Sequence, residues 1–302
     1  EARPNVTIDA ASLALKAGNA VVLRGGSAAQ STSRVLIEVC RDALTSVGLP
    51  ADAITTVDPW GRAGARAMMR ARGAIDVLIP RGGAGLINAV VEESRVPVIE
   101  TGTGNCHVYV DASADLEAAE AIIMNAKTQR VGVCNAAETL LVHADVAQRF
   151  LVAAVTRLTM AGVTIHADEA TRAVVDGQPS IDAEMIVDAT EADWETEYLA
   201  ADLAVRVVGG VDEAIGHVNR YGTKHSEAIV AEDEAAVEAF LARVDAAAVY
   251  ANASTAFTDG AEFGLGAEIG ISTQKLHARG PFALDALTSY KYVLRGSGQV
   301  RA

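Results

Sequence analysis

Short β-branched runs alternate with longer stretches of helical periodicity along the chain, the pattern of βαβ units in a parallel sheet. In the first hundred residues, strands are predicted at 19–24 (NAVVLR), 54–57, 75–80 (IDVLIP) and 96–100. A helix capped by Thr7 and stopped by Gly18 precedes them. Others follow the Gly25-Gly26-Ser27 turn to about Val47, then a short Arg/Ala/Met stretch, then residues 81–85 as far as Glu93. This is the rhythm of a doubly wound half. An edge-like strand at 106–111 and a helix at 115–127 come next. A second block then alternates strand 137–143, helix 144–161, strand 203–208, helix 211–219, strand 227–231, helix 233–243 and strand 247–252. The Tyr/Val/Leu content of 290–295 predicts a last strand that pairs outside its own domain.

Composition narrows the class. Hydrophobic residues make up 50% of the 302, with 4% aromatic, so the chain can bury a large aliphatic core. Asp and Glu number 39 against 25 Lys and Arg, a net −14 that repels phosphate backbones, and no basic patch offsets it. Nucleic acid is therefore not an expected partner. No apolar run approaches the ~18 residues of a membrane span, and the start lacks a signal-peptide pattern, so no membrane association is expected. Three irregularly spaced cysteines form neither a disulfide framework nor a CxxC pair, which predicts a reducing, cytoplasmic setting. The six histidines show no ligand spacing, so no metal site is expected.

Candidate chemistry gathers on loops. Cys134 follows a predicted helix and precedes a predicted strand, with Lys127 and Arg130 near enough in sequence to lower its thiol pKa. Residue context leaves two readings open, a nucleophile and a packed structural thiol. Cys40 lies on an apolar helical face, Cys106 opens an apolar strand, and both are assigned to packing; His107 reads as a structural histidine. Glu100 ends a predicted strand and is followed by Gly102 and Gly104, at the sheet edge where ligands bind in open α/β folds. Two glycine turns, Arg24-Gly25-Gly26-Ser27 and Arg81-Gly82-Gly83-Ala84-Gly85, place backbone N–H groups where helices begin and could hold phosphate. The stretch from Arg24 to Gln30 has no carboxylate to repel a 2′-phosphate, which favours NADPH over NADH.

The motifs as a set resemble the γ-glutamyl phosphate reductases of the aldehyde dehydrogenase superfamily. The resemblance is carried by RPN at 3–5, LKAGNAVVLRGGS at 15–27, IPRGGAGLI at 79–87 and ETGTGNCHVYVD at 100–111. NAKTQRVGVCNAAETLLVH at 125–143, YGTKHSEAIV at 221–230 and EFGLGAEIGISTQKLHARGP at 262–281 extend it over the whole length. Ala84, Val131 and Ala256 stand where Lys, Pro and Arg are expected. The resemblance implies an aldehyde dehydrogenase-like α/β fold: a Rossmann-type NADP-binding domain at 1–126 that lacks its N-terminal region, a catalytic α/β domain at 127–280, and a C-terminal oligomerisation strand within 281–302. The chain opens Glu1-Ala2-Arg3-Pro4 with no Met, consistent with a fragment.

It further implies NADPH-dependent reduction of L-glutamyl 5-phosphate to glutamate 5-semialdehyde and phosphate in proline biosynthesis. Cys134 takes the place of the nucleophile that forms a thioester, and Glu100, thirty-four residues earlier, that of the superfamily's general base. Glu197 matches the glutamate that contacts the nicotinamide ribose. The Cys134 backbone N–H and the Asn5 amide are candidates for the oxyanion. Arg3, Lys127, Arg130, Lys275 and Arg279 are candidates for the substrate phosphate and α-carboxylate. Arg24, Gly25, Gly26, Ser27, Arg81, Gly82, Gly83 and Gly85 are candidates for the cofactor. A homo-oligomer and coupling to glutamate kinase are expected. Three alternatives are another dehydrogenase activity of the superfamily, a non-catalytic fragment, and the reductase half of a fused kinase–reductase.

Overall fold

Seven parallel strands dominate the computed structural model, which describes residues 3–301. They lie in the order β6-β5-β7-β4-β3-β8-β9. Their ranges are β3 Cys106–Val110, β4 Ala137–His143, β5 Thr164–Ala167, β6 Ile186–Asp188, β7 Asp202–Val208, β8 Ser226–Val230 and β9 Ala248–Ala251. The period of two along each strand sorts its side chains onto two faces. Val108, Val110, Leu140, Val142, Ala228 and Val230 face one way, under helices α5 (Leu116–Thr128), α6 (Ala144–Met160) and α7 (Glu169–Val175). Tyr109, Leu141 and Ile229 face the other, under α8 (Val211–Tyr221) and α9 (Glu234–Arg243). Both faces are covered, which explains why these strands read as nearly continuous apolar runs.

Residues before this sheet form smaller layers. Helices α1 (Pro4–Lys16) and α2 (Gln30–Ser46) pack on a two-stranded parallel sheet of β1 (Val21–Leu23) and β2 (Ile54–Thr56). Helices α3 (Gly61–Arg70) and α4 (Ala84–Glu93) enclose Met69, Leu78, Val90 and Val96. The expected strands at 75–80 and 96–100 meet only in a single parallel bridge, Leu78 to Val98. Beyond the large sheet, β10 (Gly270–Ser272) and β11 (Gly280–Phe282) pair antiparallel, and Ile269 and Phe282 pack on Leu13 and Ile99. This cluster ties the end of the chain to its beginning.

Several expectations change. Helix α1 begins at Pro4 with Arg3 in the cap position, because proline's fixed φ suits the first helical residue. Thr7 is inside it, and its hydroxyl donates to Ser33 Oγ on α2 at 3.3 Å. The strand expected at an edge, β3, is interior, between β4 and β8. The expected division at 126/127 falls inside α5, and β3 belongs to the sheet of the second block. β5, α7 and β6 fill residues 162–202, for which no element was predicted. Residues 290–295 carry no strand pairing among the described residues, and Tyr290, Tyr292 and Leu294 are more than four-fifths exposed. Among the described residues, no helix is long and apolar enough to cross a membrane.

His225, at the start of β8, is fully buried, and burial pushes its imidazole down from 6.5 to about 4. The unfolded chain therefore binds more protons than the folded one between those values, and stability rises with pH across that window. Urea unfolding should lose roughly 3 kcal/mol from pH 7 to pH 4 through this residue, and His225→Asn should flatten that limb.

Candidate active site

Cys134 sits on the loop between α5 and β4, half-buried, and every side of that loop is held. Asn135 Nδ2 donates to the carbonyls of Ala256 and Thr258 at 3.1 and 3.2 Å, and the Thr255 hydroxyl donates to the Asn135 carbonyl at 2.7 Å. From below, the Cys106 thiol donates to the Cys134 carbonyl at 3.2 Å. Gly104 presses on the same carbonyl so closely that a Cβ there would overlap its oxygen. The Gly104 N–H in turn donates to Glu197 Oε1 at 2.6 Å.

The glycine-spaced segment 100–105 is itself fixed from three directions. Gly102 N–H donates to the Ile271 carbonyl of β10 at 3.1 Å, and Glu100 N–H to Gln274 Oε1 at 3.1 Å. Thr101 Oγ1 donates to the Pro80 carbonyl at 3.0 Å. Asn105 Nδ2 donates to the Trp194 and Tyr221 carbonyls at 2.7 and 3.0 Å. Residues 100–105 are therefore held by β10, Pro80, Glu197, Trp194 and Tyr221, and Gly104 of that segment abuts the Cys134 carbonyl.

Burial pushes that thiol up to about 11, with Glu268 and Glu197 adding to the effect and the Arg81 guanidinium opposing it. The guanidinium packs against Gly270 and Thr101, where a side chain at 270 would strike it. Glu268 is pushed up to about 7 by burial and by Asp259, against the pull of Arg81 and a Gly260 N–H. Its Oε2 is buried and meets no hydrogen-bonding group among the described residues. Burial also raises Glu197, against its bond from Gly104.

This differs from the expected site in several places. Lys127 does not face the thiol: it is fully buried, with Nζ 2.5 Å from Glu138 Oε2, because an ammonium inside the core requires a counter-charge. It cannot meet a solvent-borne anion, and the cation acting on the thiol is Arg81 instead. Asn5 is exposed on the first turn of α1, its amide 3.3 Å from Asp9 Oδ2, and is not directed to the thiol by any contact. Arg3 precedes that helix at the surface. Glu100 is half-buried on the 100–105 segment, but the carboxyls acting most strongly on Cys134 are Glu268 and Glu197. Glu197, expected at the cofactor, accepts the Gly104 N–H, beside the Cys134 loop. Arg130 is exposed just after α5. Lys275 and Arg279 both pair with Asp245 at 2.9 Å, with Lys224 at 3.6 Å. These cations lower Asp245 to about 2.

The first glycine turn follows β1. Gly25 N–H donates to Asp58 Oδ1 at 2.7 Å, while Asp58 Oδ2 is buried without a partner among the described residues. A carboxylate is thus present at this turn after all, supplied from the end of β2. Arg24 and Ser27 remain exposed beside it. The second turn leads into α4, where Gly83 is the cap with no side-chain hydrogen bond and Gly82 has φ +154°. Two parallel strands, a glycine turn braced from beneath and an uncapped ten-residue helix suit a dinucleotide's diol and pyrophosphate. These residues fit the group. No set of three or more His, Cys, Asp or Glu among the described residues could hold a metal ion.

Sequence reasoning overlooked Glu268, Asp58 and the Cys106 contact. A lone carboxylate in GAEIGIS, entering an apolar strand, was a readable signal for Glu268. Asp58 and Cys106 act across the fold and carried none.

The family model described as "Aldehyde dehydrogenase family" matches residues 5–176. The γ-glutamyl phosphate reductase of Thermobifida fusca is 59% identical over 301 residues, covering 100% of this chain and 70% of the relative. A crystal structure of γ-glutamyl phosphate reductase from Thermotoga maritima superposes with TM-score 0.94 at 48% identity, covering 99% of this chain and 70% of that one. An acetylating aldehyde dehydrogenase from Geobacillus thermoglucosidasius shares the fold, with TM-score 0.71 at 22% identity over 98% of this chain and 74% of its own. The chain belongs to the aldehyde dehydrogenase family and, within it, to the γ-glutamyl phosphate reductases.

Gly104→Ala should displace the Cys134 carbonyl and reduce activity by at least tenfold, with a lowered melting temperature. Gly132→Ala has only a distant contact, Leu199 O at 3.9 Å, and should be tolerated. Parallel turnover assays and thermal melts check both.

Proposed function

We infer that this chain is an NADPH-dependent oxidoreductase that reduces L-glutamyl 5-phosphate to L-glutamate 5-semialdehyde and phosphate, a step of proline biosynthesis. One observation carries the reading: Gly104, held by Glu197, presses on the Cys134 carbonyl, so the loop bearing the thiol is fixed against the glycine segment. The membership of the γ-glutamyl phosphate reductases supplies the substrate class.

An acyl phosphate is already activated, so the protein has to provide a nucleophile and stabilise developing charge. Cys134 Sγ attacks the C5 carbonyl carbon, the C–O bond to phosphate breaks, and a thioester remains on Cys134. The Cys134 backbone N–H would serve the oxyanion; Asn5 is left out, since its amide is engaged with Asp9. A bound NADPH would supply the hydride; as the thioester carbon takes it up, the C–S bond breaks, the aldehyde is released and the Cys134 sulfur leaves as thiolate. Arg24 and Ser27 would hold the cofactor's 2′-phosphate and the N–H groups of Gly83 and Gly85 its pyrophosphate, with Arg81 alongside. Exposed Arg24 beside the turn supports the phosphorylated cofactor, while the Asp58 carboxylate, bound through Oδ1 to the Gly25 N–H, weighs toward the unphosphorylated one. Glu197 keeps the Cys134 loop fixed through Gly104. Arg279, Lys275 and Arg130 are the remaining candidates for the α-carboxylate and the leaving phosphate.

Exposed Tyr290, Tyr292 and Leu294 support pairing of 290–295 with a second copy of the chain. A cytoplasmic location and coupling to the kinase that makes the acyl phosphate complete the proposal.

The rival is an aldehyde-oxidising activity of the same superfamily. Oxidation of the semialdehyde should require inorganic phosphate; equal rates without it would overturn the assignment. Cys134→Ser should abolish turnover in an otherwise folded protein, whereas Cys40→Ser, a change on the α1–α2 face, should leave it near wild type. Glu100→Gln should cost less than about tenfold, because phosphate needs no activated water.

A further inference from the structure

Beneath the Cys134 loop lies a set of buried hydrogen bonds to which the thioester reading gives no part. Cys106 and His225 are both fully buried, the first opening β3 and the second just ahead of β8, its paired neighbour. His225 Nδ1 lies 2.8 Å from Ser226 Oγ and 3.7 Å from Cys106 Sγ. Cys106 Sγ in turn lies 3.2 Å from the Cys134 carbonyl oxygen, and Ser226 Oγ 2.6 Å from Thr258 Oγ1.

The supply of protons fixes the direction of each bond. A carbonyl only accepts, so the single Cys106 proton is spent on Cys134. Ser226 donates its single proton to Thr258, which leaves its oxygen only lone pairs to offer the imidazole. His225 Nδ1 therefore carries the hydrogen, and burial keeps the ring neutral at pH 7, so Nε2 carries none. Nε2 has no hydrogen-bonding partner among the described residues, and nothing there favours the other tautomer.

From that one N–H two branches reach the nucleophile loop. The first runs through the Cys106 sulfur, a weak acceptor, to the carbonyl of Cys134. The second runs through Ser226 to Thr258, whose own carbonyl accepts Asn135 Nδ2 at 3.2 Å. The branches end on adjacent residues, so they hold one planar peptide unit from two directions, and with it the Cα that carries the thiol.

We propose that His225 is a positioning residue for the reaction, its Nδ1–H organising Cys106 and the Ser226–Thr258 pair so that they hold the Cys134–Asn135 peptide in the attacking orientation. The proposal rests on the thioester reading above. A nucleophile displaced by about 1 Å loses on the order of a hundredfold in rate. Loosening this peptide therefore lowers kcat and leaves KM in place, because substrate is bound elsewhere. A merely structural histidine would register in the melting temperature and not in the turnover of folded enzyme.

The tautomer can be read without any loss of activity. Long-range 1H–15N spectra of histidine-labelled protein at pH 7 should show a neutral imidazole protonated at Nδ1, whose signal disappears in His225→Asn. A neutral ring protonated at Nε2 in its place would overturn the proposal. His225→Leu removes the N–H, and kcat for phosphate-dependent semialdehyde oxidation should fall about thirtyfold or more with KM within about threefold of wild type. His225→Asn puts an amide N–H at the place of Nδ1 and should raise kcat at least about fivefold above His225→Leu. Cys106→Ala and Ser226→Ala each break one branch and should each lower kcat about tenfold, a reading that stands even if His225→Leu does not fold. A kcat within about threefold of wild type in folded His225→Leu or in both branch variants, a loss carried by KM alone, or no recovery in His225→Asn would each overturn the proposal. Full activity in Cys134→Ser would strike the thioester reading itself, and the positioning role with it, while the tautomer stayed as assigned.

Discussion

The site depends on the contact between Gly104 and the Cys134 carbonyl. It joins a segment descending from the first layers of the fold to a loop of the seven-stranded sheet, at a distance only a residue without a side chain permits. Both peptide groups are then secured from the far side, Gly104 by Glu197 and Cys134 by the Cys106 thiol. With Gly102 bonded to β10, the same segment also draws in the end of the chain. Cys134 thus takes its position from backbone contacts, which vary less than those of long side chains.

Charge is arranged around that fixed point differently from a pre-ionised thiolate. The buried Lys127–Glu138 pair shows why: an ammonium inside the core is spent on its own counter-ion, and burial works against both charges. Leaving one charged group without the other is expected to destabilise such a pair strongly, which makes Lys127 a structural residue. The thiol thus rests protonated, and any proton transfer is deferred to the moment substrate is attacked.

Much of this was legible in the sequence. Strands such as 137–143 and helices such as 144–160 follow directly from their apolar periods, because both faces of the large sheet are covered. The nucleophile loop and the two glycine turns were also readable. What could not be read arises from contacts over long separations. Lys127 and Glu138 are eleven residues apart, but their pairing depends on how α5 lies on β4. Asp58 reaches Gly25 across thirty-three residues, because β1 and β2 are parallel neighbours. The expected strands at 75–80 and 96–100 shrink to one bridge, where Pro80 and Pro97 each withhold a donor from any longer ladder. Thr7 lost its cap role because Pro4 starts the helix with Arg3 in the cap position, a local competition the residue types alone left undecided.

Arg81 links the two halves of the chemistry. It opens the second glycine turn, which placed it with the cofactor, yet its guanidinium packs on Gly270 and Thr101 and acts on both Cys134 and Glu268. A bound pyrophosphate at the start of α4 would compete for the same positive charge. Its arrival would weaken the pull of Arg81 on the thiol and on Glu268, raising the proton affinity of both while leaving their order unchanged. In a chain carrying a net −14, that single guanidinium is better placed than the surface cations around Asp245 to govern when the sulfur becomes reactive.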